Sequence, residues 1–242
     1  ALRGRHDPGV FVAQFAGDEA PVADYLLEEI LATQSPEVRE FLLCTSITDT
    51  ICGDLADALT GRNGGGSTLS ELRQDGVMVA ALDDHREWFR YHGLLRGLLR
   101  SVLRREDPAL VPELHRRAAI WLAAHGREPE AARHAAESED WELLADVVAQ
   151  AGFPMLVRGE LSELADVLRA IPQSVLRANP SYPLVVAGGA LEVGDARGAE
   201  MWLALADESF EYDSRHYLIT SVDLPVMGQI TEASPERPYL CA

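Results

Sequence analysis

The sequence predicts a mostly α-helical chain: a winged-helix domain with one β-hairpin, followed by a tetratricopeptide-like α-solenoid. Two observations carry this prediction. First, a series of helix signals runs into a hairpin around Val77–Tyr91, and helical spacing resumes at His92 and Gly93. Second, Gly126, Gly159 and Gly194 recur about every 34 residues in a region of helical periodicity, which is the period of a two-helix repeat. An irregular helical bundle is the alternative to a solenoid for that region.

The first third of the chain reads as follows. Residues 1–20 are loop-like, with an apolar patch at Val10, Phe11, Val12 and Phe15. Pro21 starts a helix carrying Tyr25, Leu26, Leu27, Ile30 and Leu31. Ser35-Pro36-Glu37 is a second start, with Ser as N-cap, Pro at the first helical position and an acid in the first turn. Val38, Phe41, Leu42 and Thr45 form its inner face. Residues 52–59 make a short helix with Leu55, Ala56 and Leu59 inward and Gly61 as its stop. Asn63-Gly64-Gly65-Gly66-Ser67 reads as a flexible loop. Thr68-Leu69-Ser70-Glu71 is a capping box that opens a further helix ending at Gly76.

The apolar run Val77–Leu82, the turn signal Asp83–Arg86 and the run Trp88–Tyr91 predict the hairpin. Beyond it, Leu94, Leu95, Leu98, Leu99, Val102 and Leu103 recur at helical spacing, with arginines between them. His92 stands at the switch from strand to helix, where a titratable side chain can reach a ligand held by another domain. A packed or solvated histidine is the plainer reading of that position.

Further helices are predicted over 110–125, 128–137, 141–151 with Gly152 as stop, 161–170 before Pro172, 183–193, and 196–206. His115, His125 and His134 lie on these helices among alanines and acids, and read as solvated or packed rather than metal-ligating. From Phe210 the pattern decays, and Pro225, Pro235 and Pro238 interrupt any regular element. The domain reading is therefore a helical lead-in over 1–34, a winged-helix unit over 35–108, repeats over 109–206 and an irregular or truncated tail over 207–242.

Composition removes several function classes. The 242 residues carry 39 acids against 21 bases, a net charge of −18, and every base is Arg. Without Lys there is no Gly-Lys-Ser/Thr phosphate loop, so the glycine run at 64–66 is not one. A strongly acidic chain is a poor partner for nucleic-acid phosphates or anionic lipid. Three helices and a hairpin form the order of a DNA-reading winged helix, but the candidate reading helix, 69–75, holds one Arg against two acids. It is read as a packing or regulatory element, with no direct nucleic-acid contact. No apolar run is long enough to span a membrane. The three cysteines, Cys44, Cys52 and Cys241, are odd in number and read as reduced thiols of a cytoplasmic protein. The start at Ala1, without Met, reads as a piece of a longer chain. No nucleophile–base pair, carboxylate pair or cofactor loop stands out, so catalysis is not expected of this chain.

Several stretches resemble one family in the same order: Phe15–Asp18 with Val22–Leu31, then Pro36–Ser46, Trp88–His92 and Leu114–Trp121. They are similar to the large bacterial regulators related to the maltose-regulon activator, of the LuxR type within the STAND ATPases. The resemblance spans roughly residues 10–205, and the stretch after about Phe210 does not visibly match it. It implies a longer protein in which an ATPase domain, absent here, precedes a winged helix. A helical-repeat sensor then receives an inducer or regulatory protein, and a DNA-binding domain follows. Gly93 and Leu95 depart from the residues common in the family. The resemblance implies that His92, with Arg90 as a weaker candidate, contacts the β-phosphate of bound ADP and holds the protein off. ATP and ADP are thus implied for the longer protein and no cofactor for this chain alone. The same region joined to a kinase or cyclase, or a plain helical-repeat interaction scaffold, are the alternative readings.

Overall fold

A computed structural model describes residues 31, 34–77, 79–83 and 87–207. The lead-in apolar patch, almost all of the helix read from Pro21, the tip of the hairpin turn (Asp84, His85, Arg86), Cys241 and the tail lie outside these residues. Leu31 is described, and it is helical and buried.

The winged-helix unit builds in the predicted order. Helix α1 (Pro36–Thr45) starts where the sequence places it: the Ser35 hydroxyl accepts from the Val38 amide at 3.3 Å and Pro36 opens the first turn. It buries Phe41 through Thr45, and the chain leaves it through a turn, Ser46–Thr48, that is also buried. Strand β1 (Ile51–Cys52), helix α2 (Gly53–Thr60) and helix α3 (Gly65–Gln74) follow. Strands β2 (Val79–Ala81) and β3 (Trp88–Tyr91) make the hairpin, and helix α4 (Gly93–Glu106) leaves it.

Two expectations are corrected here. The sheet has three strands, not two, in the order β1-β3-β2 and antiparallel throughout, with Phe89 between Ile51 and Ala81. Strand β1 is two residues long, too short to leave a period in the sequence, and it exists because β3 offers it an unpaired edge. The glycine run is not a flexible loop, and Thr68 is not the N-cap. Helix α3 begins at Gly65, after Gly64 in a left-handed conformation at φ 97°. The Asp57 carboxylate of α2 accepts from the Gly65 amide at 2.7 Å and the Gly64 amide at 3.3 Å, supplying the cap from another helix. A Cβ at Gly65 would stand 2.7 Å from the Gly53 carbonyl oxygen, so the glycines permit α2 and α3 to meet backbone to backbone.

Beyond α4 the chain is helical: α5 (Leu110–Ala124), α6 (Glu128–Glu137), α7 (Trp141–Arg158), α8 (Leu161–Ala170), α9 (Gln173–Ala178) and α10 (Ser181–Glu192), then a helix over 196–207. Short turns fold these helices into antiparallel pairs. Helices α5, α7 and α10 pack in sequence as one layer, and α6 and α8 pack on each other as the second, which is the stacking of an α-solenoid. The turn glycines adopt the left-handed conformation such corners require: Gly126 at 69°, Gly159 at 71° and Gly194 at 79°.

Two more expectations are corrected in this region. Helix α7 does not stop at Gly152 but runs on through Pro154 to Arg158. Its buried stripe (Leu144, Val147, Val148, Ala151, Met155) keeps helical spacing across the glycine, so packing outweighs the local break. The six-residue α9 has no counterpart in the sequence reading. It buries Leu176 alone, too little to mark a period.

The buried side chains form one cluster from Leu31 to Val186, so the winged helix and the repeats share a continuous core. Helices α8 and α10 also approach closely. A Cβ at Gly189 would fall 2.6 Å from the Ala165 Cβ. At the same junction the Glu192 carboxylate of α10 accepts from the Leu161 and Ser162 amides, both at 2.9 Å, and caps a helix that has no cap of its own. Gly189→Ala gains up to about 1 kcal/mol of helix propensity but overpacks this contact by about 1–3 kcal/mol. Thermal denaturation is expected to show a lower Tm for the variant, and an unchanged or raised Tm contradicts the close packing.

Candidate functional site

The predicted site residues all sit where β3 becomes α4. Alternation along β3 buries Phe89 and Tyr91 in the core and turns Trp88 and Arg90 to the other face. Asp83 secures the start of the strand, its carboxylate accepting from the Glu87 amide at 2.9 Å and the Trp88 amide at 2.8 Å. Tyr91 secures its end. The Thr45 hydroxyl donates to the Phe41 carbonyl at 2.7 Å, so at its 2.7 Å contact with Tyr91 the phenol is the donor. Burial pushes the phenol's pKa well above its ordinary value, which keeps that donor in place.

His92 follows this anchor directly and is the N-cap of α4. Its Nδ1 accepts from the Leu94 amide at 3.4 Å, a long cap bond. With Nδ1 accepting, the neutral ring carries its hydrogen on Nε2. The side chain is exposed, so this N–H donor stands at the protein surface. Arg90 is also exposed, on the strand face opposite Tyr91, and makes no ion pair among the described residues.

The same strand face docks the repeats, through contacts that the sequence reading did not anticipate. Trp88 meets Trp121 of α5 edge-on, with ring centroids 6.3 Å apart, and the Arg127 guanidinium lies 4.3 Å above the Trp88 ring. Arg127 also donates to the Thr50 hydroxyl at 3.1 Å, and Arg117 of α5 to the Leu59 carbonyl of α2 at 3.0 Å. These partners are far apart in sequence, and no local pattern marks them.

The candidate DNA-reading helix is α3. Its one base, Arg73, is partly buried, with Nε enclosed and without a hydrogen-bond partner, while Glu71 and Asp75 are exposed. That face offers carboxylates where a phosphate backbone needs cations.

Of the three helical histidines, His125 is exposed and stacks on Trp121 at 3.7 Å between centroids. The other two are buried together, Nδ1 of His115 lying 2.9 Å from Nδ1 of His134. The reading as packed residues holds for this pair, but their mutual contact was missed. The available signal was that they flank the Gly126 turn on the two helices of one antiparallel pair. One Nδ1 donates and the other accepts, so the accepting ring is neutral, and burial disfavours a charge on the donating ring as well. Burial lowers the pKa of each, that of His134 to about 3.

Comparison with known sequences matches residues 27–111 to the MalT winged helix domain, the unit just described. Those residues belong to the MalT winged-helix family. The HTH-type transcriptional regulator MalT of Klebsiella pneumoniae is 35% identical over 175 residues, which cover 72% of this chain and 19% of that protein. MalT of Cronobacter sakazakii is 31% identical over 191 residues, 77% of this chain and 21% of its own. The serine/threonine-protein kinase PknK of Mycobacterium tuberculosis is 32% identical over 187 residues, 77% of this chain and 17% of the kinase. The chain thus spans about a fifth of the length of the curated relatives it matches. Residues 198–242 also match the N-terminus of AraC-type transcriptional regulators, a relationship that periodicity did not reveal. Most of that stretch lies outside the described residues.

The histidine pair makes the stability of this MalT-like region depend on pH. The folded state holds both rings neutral, whereas the unfolded chain protonates them near their ordinary value, so the unfolded state binds more protons as pH falls. Stability is full above about pH 6.5 and declines below it, by up to about 1.4 kcal/mol per pH unit for each histidine. Denaturant unfolding between pH 7.5 and about 5.5, above most carboxylate titration, is expected to show this slope. The His115→Leu/His134→Leu double variant is expected to flatten it; an equal slope in that variant contradicts the assignment.

Proposed function

We propose that this chain is the regulatory and sensor region of a MalT-like regulator. In this reading the winged helix contacts an ATPase domain elsewhere in the longer protein, and the stacked repeats receive an inducer or regulatory protein. The nucleotide state of the ATPase is communicated through His92. The observation that carries the reading is the placement of His92. An exposed ring, held by its cap bond with the Nε2–H free to donate, stands at the end of a strand whose Trp88 grips the repeats. A phosphate bound at that ring would act on the strand whose Trp88 meets the repeats. The exposure of Arg90 and His92 and the absence of Lys both fit a chain that meets a nucleotide held by another domain rather than cradling it alone.

PknK favours one variant of this reading, in which the same kind of region is coupled to a kinase output rather than to a DNA-binding one. The coding sequence on both sides of this segment decides between them. A phosphate loop upstream with a helix-turn-helix downstream supports the transcriptional form, and a kinase domain supports the other.

Two outcomes are expected in solution. Titration of the 242-residue chain with labelled ATP or a DNA duplex at low salt is expected to give no micromolar binding, since the acidic charge and the inward-turned Arg73 oppose it. In the full-length protein, a lost charge-assisted bond to ADP is worth about 1.5–3 kcal/mol, or roughly 10- to 150-fold in ADP retention. His92→Ala and His92→Asn are both expected to lose that much, with partial inducer-independent output. His92→Asn keeps an N-cap acceptor and is expected to retain thermal stability. ADP retention equal to wild type in a stable His92→Asn variant removes the nucleotide role.

A further inference from the structure

A cavity of about 320 Å³ lies where α4 meets the first helix pair, and it collects positive charge in a chain of net charge −18. Arg96, Arg100 and Arg104 follow one another along a single stripe of α4, one helical turn apart, and Arg133 of α6 faces them. The acids at the cavity are Asp49 and Glu137. Asp49 is occupied by Arg96 and lies 3.6 Å from Arg100, which also donates to the Ser46 carbonyl at 2.8 Å and to the Ile47 carbonyl. Arg104 and Arg133 have no carboxylate within 4.0 Å among the described residues. Two guanidiniums are therefore left without an ion pair beside one concavity, where four cations outnumber two acids. Stacking like charges on one helix face opposes folding; the carbonyl bonds of Arg100 and the Asp49 pair of Arg96 account for two of the four cations and leave Arg104 and Arg133 without a structural partner of that kind. The His115–His134 pair adds to the lining without adding charge. Because one Nδ1 accepts, one of the two rings carries its hydrogen on Nε2, a neutral donor suited to an anionic oxygen.

We propose that this cavity binds a phosphorylated small molecule, with the phosphate held between Arg104 and Arg133. Two uncompensated guanidiniums match a dianion, which a phosphate monoester is near neutral pH, whereas a carboxylate leaves one of them unpaired. Guanidinium forks are the geometry that grips phosphate oxygens in pairs. The volume suits a small organic phosphate, at the lower end of ligand cavities. Ile47, Leu103 and Val111 supply an apolar wall for the organic part. The site is separate from the His92 contact: His92 does not line it, and its ligand is met by this chain alone. A ligand spanning Arg104 and Arg133 ties the last helix of the winged unit to the first repeat and stiffens the joint between them.

The test uses the 242-residue chain at constant ionic strength, with ribose 5-phosphate, inorganic phosphate, sulfate and acetate as probes in calorimetric titration. Saturable binding of ribose 5-phosphate is expected, tighter than inorganic phosphate and much tighter than acetate. Arg104→Gln and Arg133→Gln are each expected to weaken it by roughly tenfold or more. Arg105→Gln, on a neighbouring exposed side chain outside the cavity, is expected to leave it unchanged. Relief of like-charge crowding is expected to leave the Tm of the unliganded cavity variants equal or higher. Phosphorus NMR line broadening of ribose 5-phosphate by the wild-type chain provides a readout that needs no variant. Absence of saturable binding up to millimolar probe overturns the proposal. So does equal affinity for sulfate and both phosphates, which marks an unspecific anion patch, or binding that survives both cavity substitutions.

Discussion

The constraint on which the rest of this structure depends is the burial of the turn after α1. Ser46, Ile47 and Thr48 leave the helix inside the protein, where carbonyl groups without partners are costly. Arg100 of α4 meets that requirement by donating to the Ser46 and Ile47 carbonyls. This one side chain fixes the long helix against α1, and Arg39 of α1 closes the far end of the same contact on Glu106. With α4 held there, β3 is drawn into the sheet between β1 and β2, and His92 is placed at the surface end of the strand. The same helix turn that satisfies the carbonyls brings Arg96 and Arg104 to its flanks. The basic cavity is thus a by-product of the structural solution as well as a feature open to use.

The winged helix here is built to face inward, toward other protein. Its sheet offers Trp88 to Trp121 and Arg127, and α2 offers the Leu59 carbonyl to Arg117. These are short, directional contacts across a continuous apolar core, and they leave little room for the two units to move independently. The helix that reads DNA in other winged helices carries exposed acids in this one. A fold known for nucleic-acid recognition therefore serves as a joint between a strand end and a stack of helices, since function resides in the side chains placed on a fold.

The exclusive use of Arg among the basic residues shapes both ends of this joint. A guanidinium can bridge two carbonyls, lie flat over an indole and pair with a carboxylate, and Arg100, Arg127 and Arg39 do these three things in turn. An ammonium group has three donors but no planar fork to align with fixed acceptors or to stack on a ring. The acidic remainder of the surface keeps the chain away from polyanions, so that its few uncompensated cations are local features rather than a general attraction.

The sequence by itself determined the order of elements and most helix starts, because these rest on short-range physics. Ser35 and Pro36 begin α1 through a bond three residues away, the turn glycines at 126, 159 and 194 supply left-handed corners, and Phe89 and Tyr91 alternate with Trp88 and Arg90 along a pleated strand. The position of His92 between strand and helix was legible for the same reason. Tertiary structure alone decided features that depend on distant partners. Strand β1 exists only beside β3, and α3 starts at Gly65 because Asp57 of another helix caps it. Helix α7 passes Gly152 because a buried stripe continues, and α8 takes its cap from Glu192 across the stack. The meeting of His115 with His134, and of three arginines of α4 with a fourth on α6, follows from how helices register in space. That register is set by packing across the whole core, and no stretch of sequence holds it alone.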